Sequence, residues 1–287
     1  MGTATPKNFE HVRDFGGISE YRLKTNGLTI LLAEDRTLPV VCVNITYSVG
    51  SRNEAVGHTG ATHLLEHLMF KGSKHFHKGS GKSIDRVLIS RGAEINATTW
   101  FDRTNYYEVV PRDMLDEALA IEADRMHNAF IRERDRAQEM TVVRNEFERG
   151  ENDPLEVLDK AIWASAFQAH PYHHPTIGWR SDVENVSIAR LKAFYRTYYW
   201  PNNATLVLVG DVGASDGLAL ITKHFGGLTA SPRPIPEVYT TEPEQQGERR
   251  VRVSRAGLTR IVGIAHKAPE ARGEDTAALL LLMGVLI

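Results

Sequence analysis

A chain of 287 residues with 42% hydrophobic and 24% charged side chains has the composition of a globular protein, which excludes disorder throughout. Its net charge of −2 gives no electrostatic reason to expect nucleic acid or an anionic membrane surface as a partner. The single cysteine, Cys42, excludes an internal disulfide and a cysteine-based zinc site, and its apolar surroundings predict that it is buried.

The beginning of the chain lacks the basic cluster and apolar core of a signal peptide. The sequence therefore leaves the compartment open between the cytoplasm, for the chain as written, and the periplasm, for the mature form of an exported protein. No apolar run reaches the roughly 18 residues that span a bilayer, so no membrane span is predicted.

The first third of the chain changes from strand-like to helical patterning. Residues 21–49 are predicted to form β-strands, with Asn26-Gly27 as a hairpin turn between them. The hydrophobic period then becomes helical over 60–71, with Thr59 as the predicted N-cap and Gly72 as the predicted stop.

Strand patterns return in "AEINATTW" and "TNYYEVVP", and helices are predicted over 113–130 and 133–151. A loop-rich stretch follows. A helix in "SIARLKAFYRTYY", an apolar strand in "NATLVLVGDV" and a helix in "GLALITKHFGGL" come after it. This order predicts an α+β fold, in which helices pack on a layered antiparallel or mixed sheet.

A linker rich in Pro, Thr and Glu is predicted over 229–248. Before it we expect an N-terminal extension over 1–20 and an α+β domain over 21–228. After it, 249–287 loosely repeats the opening plan, with hairpin-like strands, a polar loop and an apolar helix, which predicts a second, similar domain that is incomplete. The apolar helix pattern runs to the last residue without a cap, which suggests a fragment or one half of a larger protein.

The predicted helix over 60–71 contains "HLLEHLMFKGS". Residues three and four apart share a helix face, so His63 and His67 can aim both imidazoles at one point, with Glu66 beside them. Two imidazoles and a carboxylate are typical of a zinc site with its own general base. The alternative is an amphipathic helix with polar residues on its wet face, and the helical context with apolar flanks favours the metal site.

A third ligand must come from another part of the chain. The charged helix over 133–151 offers four glutamates, any one of which could instead be a solvated surface residue. They are Glu139, Glu146, Glu148 and Glu151. Glu139 and Glu146 are two helical turns apart and share a face, so one could bind metal while the other supports a histidine.

At this point the chain resembles the pitrilysin/insulinase family of zinc peptidases, which carry an inverted HxxEH motif, and in particular bacterial members related to the mitochondrial processing peptidase. The resemblance covers roughly residues 20–287 and rests on five blocks in the family's order. They are "GHTGATHLLEHLMFKGS", "GAEINATTWFDRTNYYEVVP", "VVRNEFERGENDP", "HPYHHPTIGW" and "YYWPNNATLVLVGDV".

The resemblance implies a role for each matching residue. His63, His67 and Glu146 match the ligands of one Zn²⁺ per chain, Glu66 the general base, and Glu139 the glutamate that supports the site. The separation of Glu146 from His67 is slightly longer than the family's pattern. "NATT" matches the edge strand that binds an extended peptide, so Asn96, Ala97 and Thr98 are expected to bind substrate. A plain edge strand is the alternative.

The other histidines match no ligand. His75 and His77 lie in a polar loop, and His170, His173 and His174 resemble a structural loop of the family, so no metal is assigned to either group.

The resemblance implies a zinc metalloendopeptidase that acts on peptides or unfolded segments. The family encloses substrate between two halves, and this chain carries the metal half, so a homodimer, or a heterodimer with a partner subunit, is expected to complete the chamber. The alternative is a non-catalytic or half-site subunit of a heterodimeric peptidase or scaffold. Such relatives usually lose motif residues, whereas this chain keeps His63, Glu66, His67 and Glu146.

Overall fold

The computed structural model describes residues 5–257 and 260–286. Its strands there, in chain order, are β1 (Phe9–Phe15), β2 (Ile18–Leu23), β3 (Thr29–Glu34), β4 (Val40–Tyr47), β5 (Glu94–Thr99), β6 (Thr104–Pro111) and β7 (Ala204–Gly210). Its α-helices there are α1 (Ala61–Met69), α2 (Ile84–Val87), α3 (Leu115–Asn128), α4 (Glu133–Asn152), α5 (Pro154–Ala166), α6 (Arg180–Asn185), α7 (Ile188–Tyr198), α8 (Ala214–Phe225) and α9 (Thr276–Leu286).

The strands form one sheet in the order β1-β2-β3-β7-β4-β6-β5. Only the β3–β7 pair is parallel, and every other neighbouring pair is antiparallel. The predicted α+β fold with a mixed sheet is therefore confirmed. No helix among the described residues is long and apolar enough to cross a membrane.

The core lies on one face of the sheet, where α1, α3 and α8 pack. Along β4, Val41, Val43 and Ile45 are fully buried and point into this core. The residues between them are only partly buried, because successive side chains of a strand point to opposite faces. Cys42 is one of these and is half-buried, so the prediction that it is buried is wrong.

The start of the chain belongs to the sheet. The prediction of an extension over 1–20 is wrong from Phe9 onward, because β1 pairs with β2 along its length. Gly16 and Gly17 make the turn, with φ of 58° and 81°, which a side chain at these positions would disfavour. The Gly-Gly pair was the sequence signal for this hairpin. The hairpin predicted at Asn26-Gly27 is confirmed, since β2 and β3 pair there.

The stretch predicted to be rich in loops contains two helices, α5 and α6. The side chain of Asp153 caps α5 by accepting a hydrogen bond from the backbone N–H of Leu155 at 2.8 Å, and Pro154 fills the first turn. These are ordinary signals for the start of a helix. In the second segment, the predicted helix from Thr276 is α9, but the described part of 249–275 contains no strand. The hairpin-like strands predicted there are therefore wrong, and the domain boundaries predicted around the 229–248 linker stay a prediction.

Candidate metal centre

Helix α1 is fixed in rotation by its apolar side chains. Leu64, Leu65 and Leu68 are fully buried in the core. The i, i+3 and i+4 spacing of a helix then directs His63 and His67 away from the core and toward α4, with which α1 is in contact. Because the leucines are buried in the core, both imidazoles point toward α4.

The start of α1 is held by a carboxylate from the preceding loop. Glu54 accepts hydrogen bonds from the backbone N–H groups of Gly60 and Thr62, each at 2.7 Å. These are two of the N–H groups that a helix start leaves without an internal partner. Thr59 was predicted to be the N-cap, and that is wrong: Gly60 holds the position with φ of 80°, and the Thr59 hydroxyl donates to Asp182 at 2.9 Å.

The structure brings His63, His67 and Glu146 together. Nε2 of His63 lies 3.7 Å from Oε2 of Glu146, and Nε2 of His67 lies 3.4 Å from the same oxygen. One ligand atom from each residue lies within 4.8 Å of the others, and no other such group of three occurs within 5–257 and 260–286. Ligands around tetrahedral zinc, at ~2.0–2.1 Å from the ion, are roughly 3.3 Å from one another. The three side chains fit a zinc ion.

The two imidazoles have different surroundings. Burial, together with the nearby charge of His67, lowers the pKa of His63 to about 3, so the neutral ring keeps a lone pair for a metal. Nδ1 of His67 lies 3.1 Å from Oε2 of Glu139, and the other oxygen of Glu139 pairs with Lys71. Glu139 therefore orients His67 from behind, where the resemblance predicted a supporting glutamate.

Glu66 lies beside the three ligand candidates on the same helix. Its side chain is almost completely buried, and burial raises its pKa. The hydroxyl of Thr99, on β5, donates a hydrogen bond to Oε2 of Glu66 and opposes that rise. Sequence reasoning missed Thr99. The sequence "NATT" did contain a signal that the Thr99 side chain points inward. Alternate residues of a strand share a face, so Thr99 lies on the same face as Ala97, which is the buried residue of β5.

Strand β5 is at the end of the sheet, and among the described residues it pairs with β6 alone. Asn96 and Thr98 are exposed, and the backbone N–H of Ala97 donates to the side-chain oxygen of its neighbour Asn96 at 2.8 Å. The Thr98 hydroxyl donates to Asn105 at 2.5 Å on the face opposite Thr99. The predicted substrate-binding residues thus form an edge strand next to Glu66.

The remaining acidic candidates for a third ligand lie elsewhere. Oε1 of Glu148 is 3.9 Å from Arg180, and Glu151 pairs with Lys160 at 3.2 Å. Of the histidines that were assigned no metal, His75 pairs with Asp124 at 2.7 Å. Within the part of the chain that the structure describes, none of the histidines set aside joins a group of metal-ligand geometry.

Comparison with known families gives two matches. The sequence model described as insulinase, peptidase family M16, matches residues 29–179. The model described as the peptidase M16 inactive domain matches residues 185–287. The first match contains the three ligand candidates, Glu66 and β5.

Individual proteins are also similar. A zinc protease named PqqE from Helicobacter pylori is 34% identical over 266 residues, which cover 91% of this chain and 59% of that protein. A probable mitochondrial-processing peptidase subunit beta from Schizosaccharomyces pombe is 28% identical over 72% of this chain and 44% of its own length. The crystal structure of a protease from Helicobacter pylori superimposes with a TM-score of 0.75 and 35% identity, covering 80% of this chain and 55% of that one. The chain spans about half the length of the curated relatives that it matches.

Proposed function

The chain belongs to the insulinase family of peptidases, family M16, and from this we propose that it is a zinc metalloendopeptidase with Glu66 as its general base. The observation that carries the proposal is the convergence of His63, His67 and Glu146 on one point beside Glu66. The family resemblance predicted from the five sequence blocks is confirmed.

His63, His67 and Glu146 would hold one Zn²⁺ in this proposal, with Glu139 supporting His67. Zinc, when bound, supplies Lewis-acid polarisation of a peptide carbonyl and of water. His63 suits the role because its ring is neutral over the whole range near pH 7. The Glu139 carboxylate accepts the Nδ1 proton of His67, which leaves the Nε2 lone pair facing Glu146 and the metal position.

Glu66 moves the proton in the proposed reaction. The oxygen of water forms a bond to the carbonyl carbon of the peptide, and Glu66 takes the proton that water gives up. The bond between that carbon and the amide nitrogen then breaks, and Glu66 returns the proton to the leaving amine. Burial suits this exchange, because it raises the pKa of Glu66 and so makes its carboxylate a stronger proton acceptor.

We propose that an extended peptide binds along the outer edge of β5. The unpaired side of a strand offers backbone N–H and C=O groups to a peptide, which can add to the sheet as a further strand. Asn96, Ala97 and Thr98 lie on that edge. The Ala97 N–H would exchange its bond to Asn96 for one to the substrate backbone. Peptides and unfolded segments meet the requirement for an extended backbone.

Cleavage of a quenched-fluorescence peptide mixture tests the proposal. The wild type with one equivalent of zinc is compared with Glu66→Gln and with the matched control Glu148→Gln, a more exposed glutamate on α4. Glu66→Gln should retain zinc, measured by elemental analysis, and lose cleavage, whereas Glu148→Gln should retain both. Full activity of Glu66→Gln would remove Glu66 as the base, and a zinc-loaded wild type that cleaves nothing would contradict a self-sufficient peptidase.

A second candidate function is that of one subunit in a two-chain peptidase. The observation that favours it is the similarity to a protein named as a subunit of the mitochondrial-processing peptidase, of which this chain covers 44%. In this version a second copy or a different chain completes the chamber around the substrate. Sedimentation of the zinc-loaded chain with and without peptide tests it, and a monomer that cleaves peptides at full rate at every concentration would exclude it.

A further inference from the structure

The 50–54 loop, which precedes α1, binds the end of β5. The backbone N–H of Ser51 donates to the carbonyl of Trp100 at 3.1 Å, and that of Arg52 donates to the carbonyl of Phe101 at 3.0 Å. Gly50 lies against the same carbonyls, and a Cβ built on it would be 2.2 Å from the oxygen of Trp100. The two backbones are therefore in direct contact.

The same loop also holds α1. Glu54 accepts from the N–H groups of Gly60 and Thr62, and the Thr62 hydroxyl donates to the carbonyl of Gly50 at 3.4 Å. Glu54 and Thr62 are both buried. One short loop thus fixes the start of the helix that carries Glu66 and the end of the strand that carries Thr99.

Thr99 is held in place independently of its side chain. It pairs with Thr104 in the β5–β6 register, and the next residue, Trp100, donates to the carbonyl of Arg103 at 2.8 Å to close the turn. The strand period points the Thr99 side chain to the same face as the buried Ala97, which is the face that α1 contacts. The backbone of β5 therefore places the Thr99 hydroxyl where it donates to Oε2 of Glu66.

We propose that Thr99 is the positioning residue of the general base, an inference that rests on the proposed peptidase function. A single O–H donor fixes the carboxylate of Glu66 in one rotamer and occupies Oε2, which leaves Oε1 to take the proton from water. Thr99 belongs to the strand whose outer edge would bind the peptide. The same rigid strand, β5, then positions both the general base and the substrate backbone.

Steady-state kinetics of Thr99→Val and Thr99→Ser test the proposal. Valine keeps the shape and strand preference of threonine but lacks the hydroxyl, whereas serine keeps the hydroxyl. Thr99→Val should lower kcat by ~10–100-fold, because a misplaced catalytic group loses about this much rate, with KM and zinc content within about twofold of the wild type. Thr99→Ser should remain within about threefold. The matched control Thr205→Val, on β7 of the same sheet, should leave kcat unchanged.

Two results in these kinetics would overturn the positioning role. A Thr99→Val variant with kcat within twofold of the wild type would show that the hydroxyl does not position the base. A Thr99→Ser variant as impaired as Thr99→Val would assign the effect to the lost methyl group and its packing.

A measurement without catalysis separates this proposal from the proposed function. Urea unfolding of the zinc-free chain is followed for Thr99→Val in the wild type and in a Glu66→Ala background. Thr99→Val should lower the unfolding midpoint clearly more in the wild type than in Glu66→Ala, since only the wild type has the hydrogen bond to lose. Equal shifts would overturn the contact and the proposal. A zinc-loaded wild type that cleaves nothing, with or without a partner, would instead overturn the peptidase function and with it any role of Thr99 in the reaction.

Discussion

Gly50→Ala should destabilise the protein strongly, although the glycine has an ordinary backbone conformation. Its φ of −151° suits any residue, so the effect comes from space alone. The added Cβ would lie 2.2 Å from the carbonyl oxygen of Trp100 and 2.4 Å from that of Phe101. Nonbonded heavy atoms prefer about 3.5 Å or more, so one backbone must move by roughly 1 Å.

That movement separates the 50–54 loop from the end of β5. It stretches the hydrogen bonds from Ser51 to Trp100 and from Arg52 to Phe101, each of which contributes about 0.5–1.5 kcal/mol. Overpacking of a tight site costs about 1–3 kcal/mol in addition. The free energy of unfolding should therefore fall by about 2–6 kcal/mol, and Thr99 should move away from Glu66.

Urea unfolding of Gly50→Ala and of Gly227→Ala measures this effect. Gly227 has open space around the position of its Cβ and no left-handed backbone, so its substitution should change the free energy of unfolding by less than about 0.5 kcal/mol. An unfolding midpoint of Gly50→Ala equal to that of Gly227→Ala would refute the argument that the loop and β5 are in backbone contact.

Further substitutions test a buried ion pair, the proposed zinc site and the environment of Glu242. Arg125→Met should lower the free energy of unfolding by about 3–5 kcal/mol, because the buried guanidinium pairs with two buried carboxylates; a loss below 1 kcal/mol would contradict this. Glu146→Ala should abolish zinc binding, and full occupancy by elemental analysis would move the third ligand elsewhere. Glu139→Gln should weaken zinc affinity by ~10–100-fold, measured by competition with a chelator. Burial would raise the pKa of Glu242, but three backbone N–H donors outweigh it and hold that pKa at about 2. The stability difference between the wild type and Glu242→Gln should therefore be largest above pH ~4.5 and shrink as the pH falls toward 2.

The sequence predicted those elements whose local pattern agrees with their tertiary role. The short apolar runs of β4 and β7 and the amphipathic period of α1 are sufficient, because such runs are typical of buried strands and such a period is typical of a helix with one buried face. The order of strands in the sheet was beyond such reasoning. Nothing local to β7 indicates that it pairs in parallel with β3, since that choice depends on all the connections together.

Some residues of the candidate site could likewise be predicted from local sequence, and others could not. His63, Glu66 and His67 could be predicted to lie together because one helical turn relates them. Glu146 needed the family resemblance, since residues of α4 meet α1 only after folding. Thr99 needed the structure, because its contact with Glu66 depends on a strand and a helix being held at one separation by the 50–54 loop.

The position of β7 between β3 and β4 has a consequence for synthesis on the ribosome. Residues 29 and 205 are neighbours in the sheet, so β3 and β4 leave the exit tunnel long before the strand that separates them. At a synthesis rate of ~5–20 residues per second, β7 follows β4 by roughly ten seconds or more, and until then the strand edges that it will pair with stay open. Pairing over so long a loop is also slow. The seven-stranded sheet is therefore complete only after β7 has been synthesised, although α1 and α4 are made earlier.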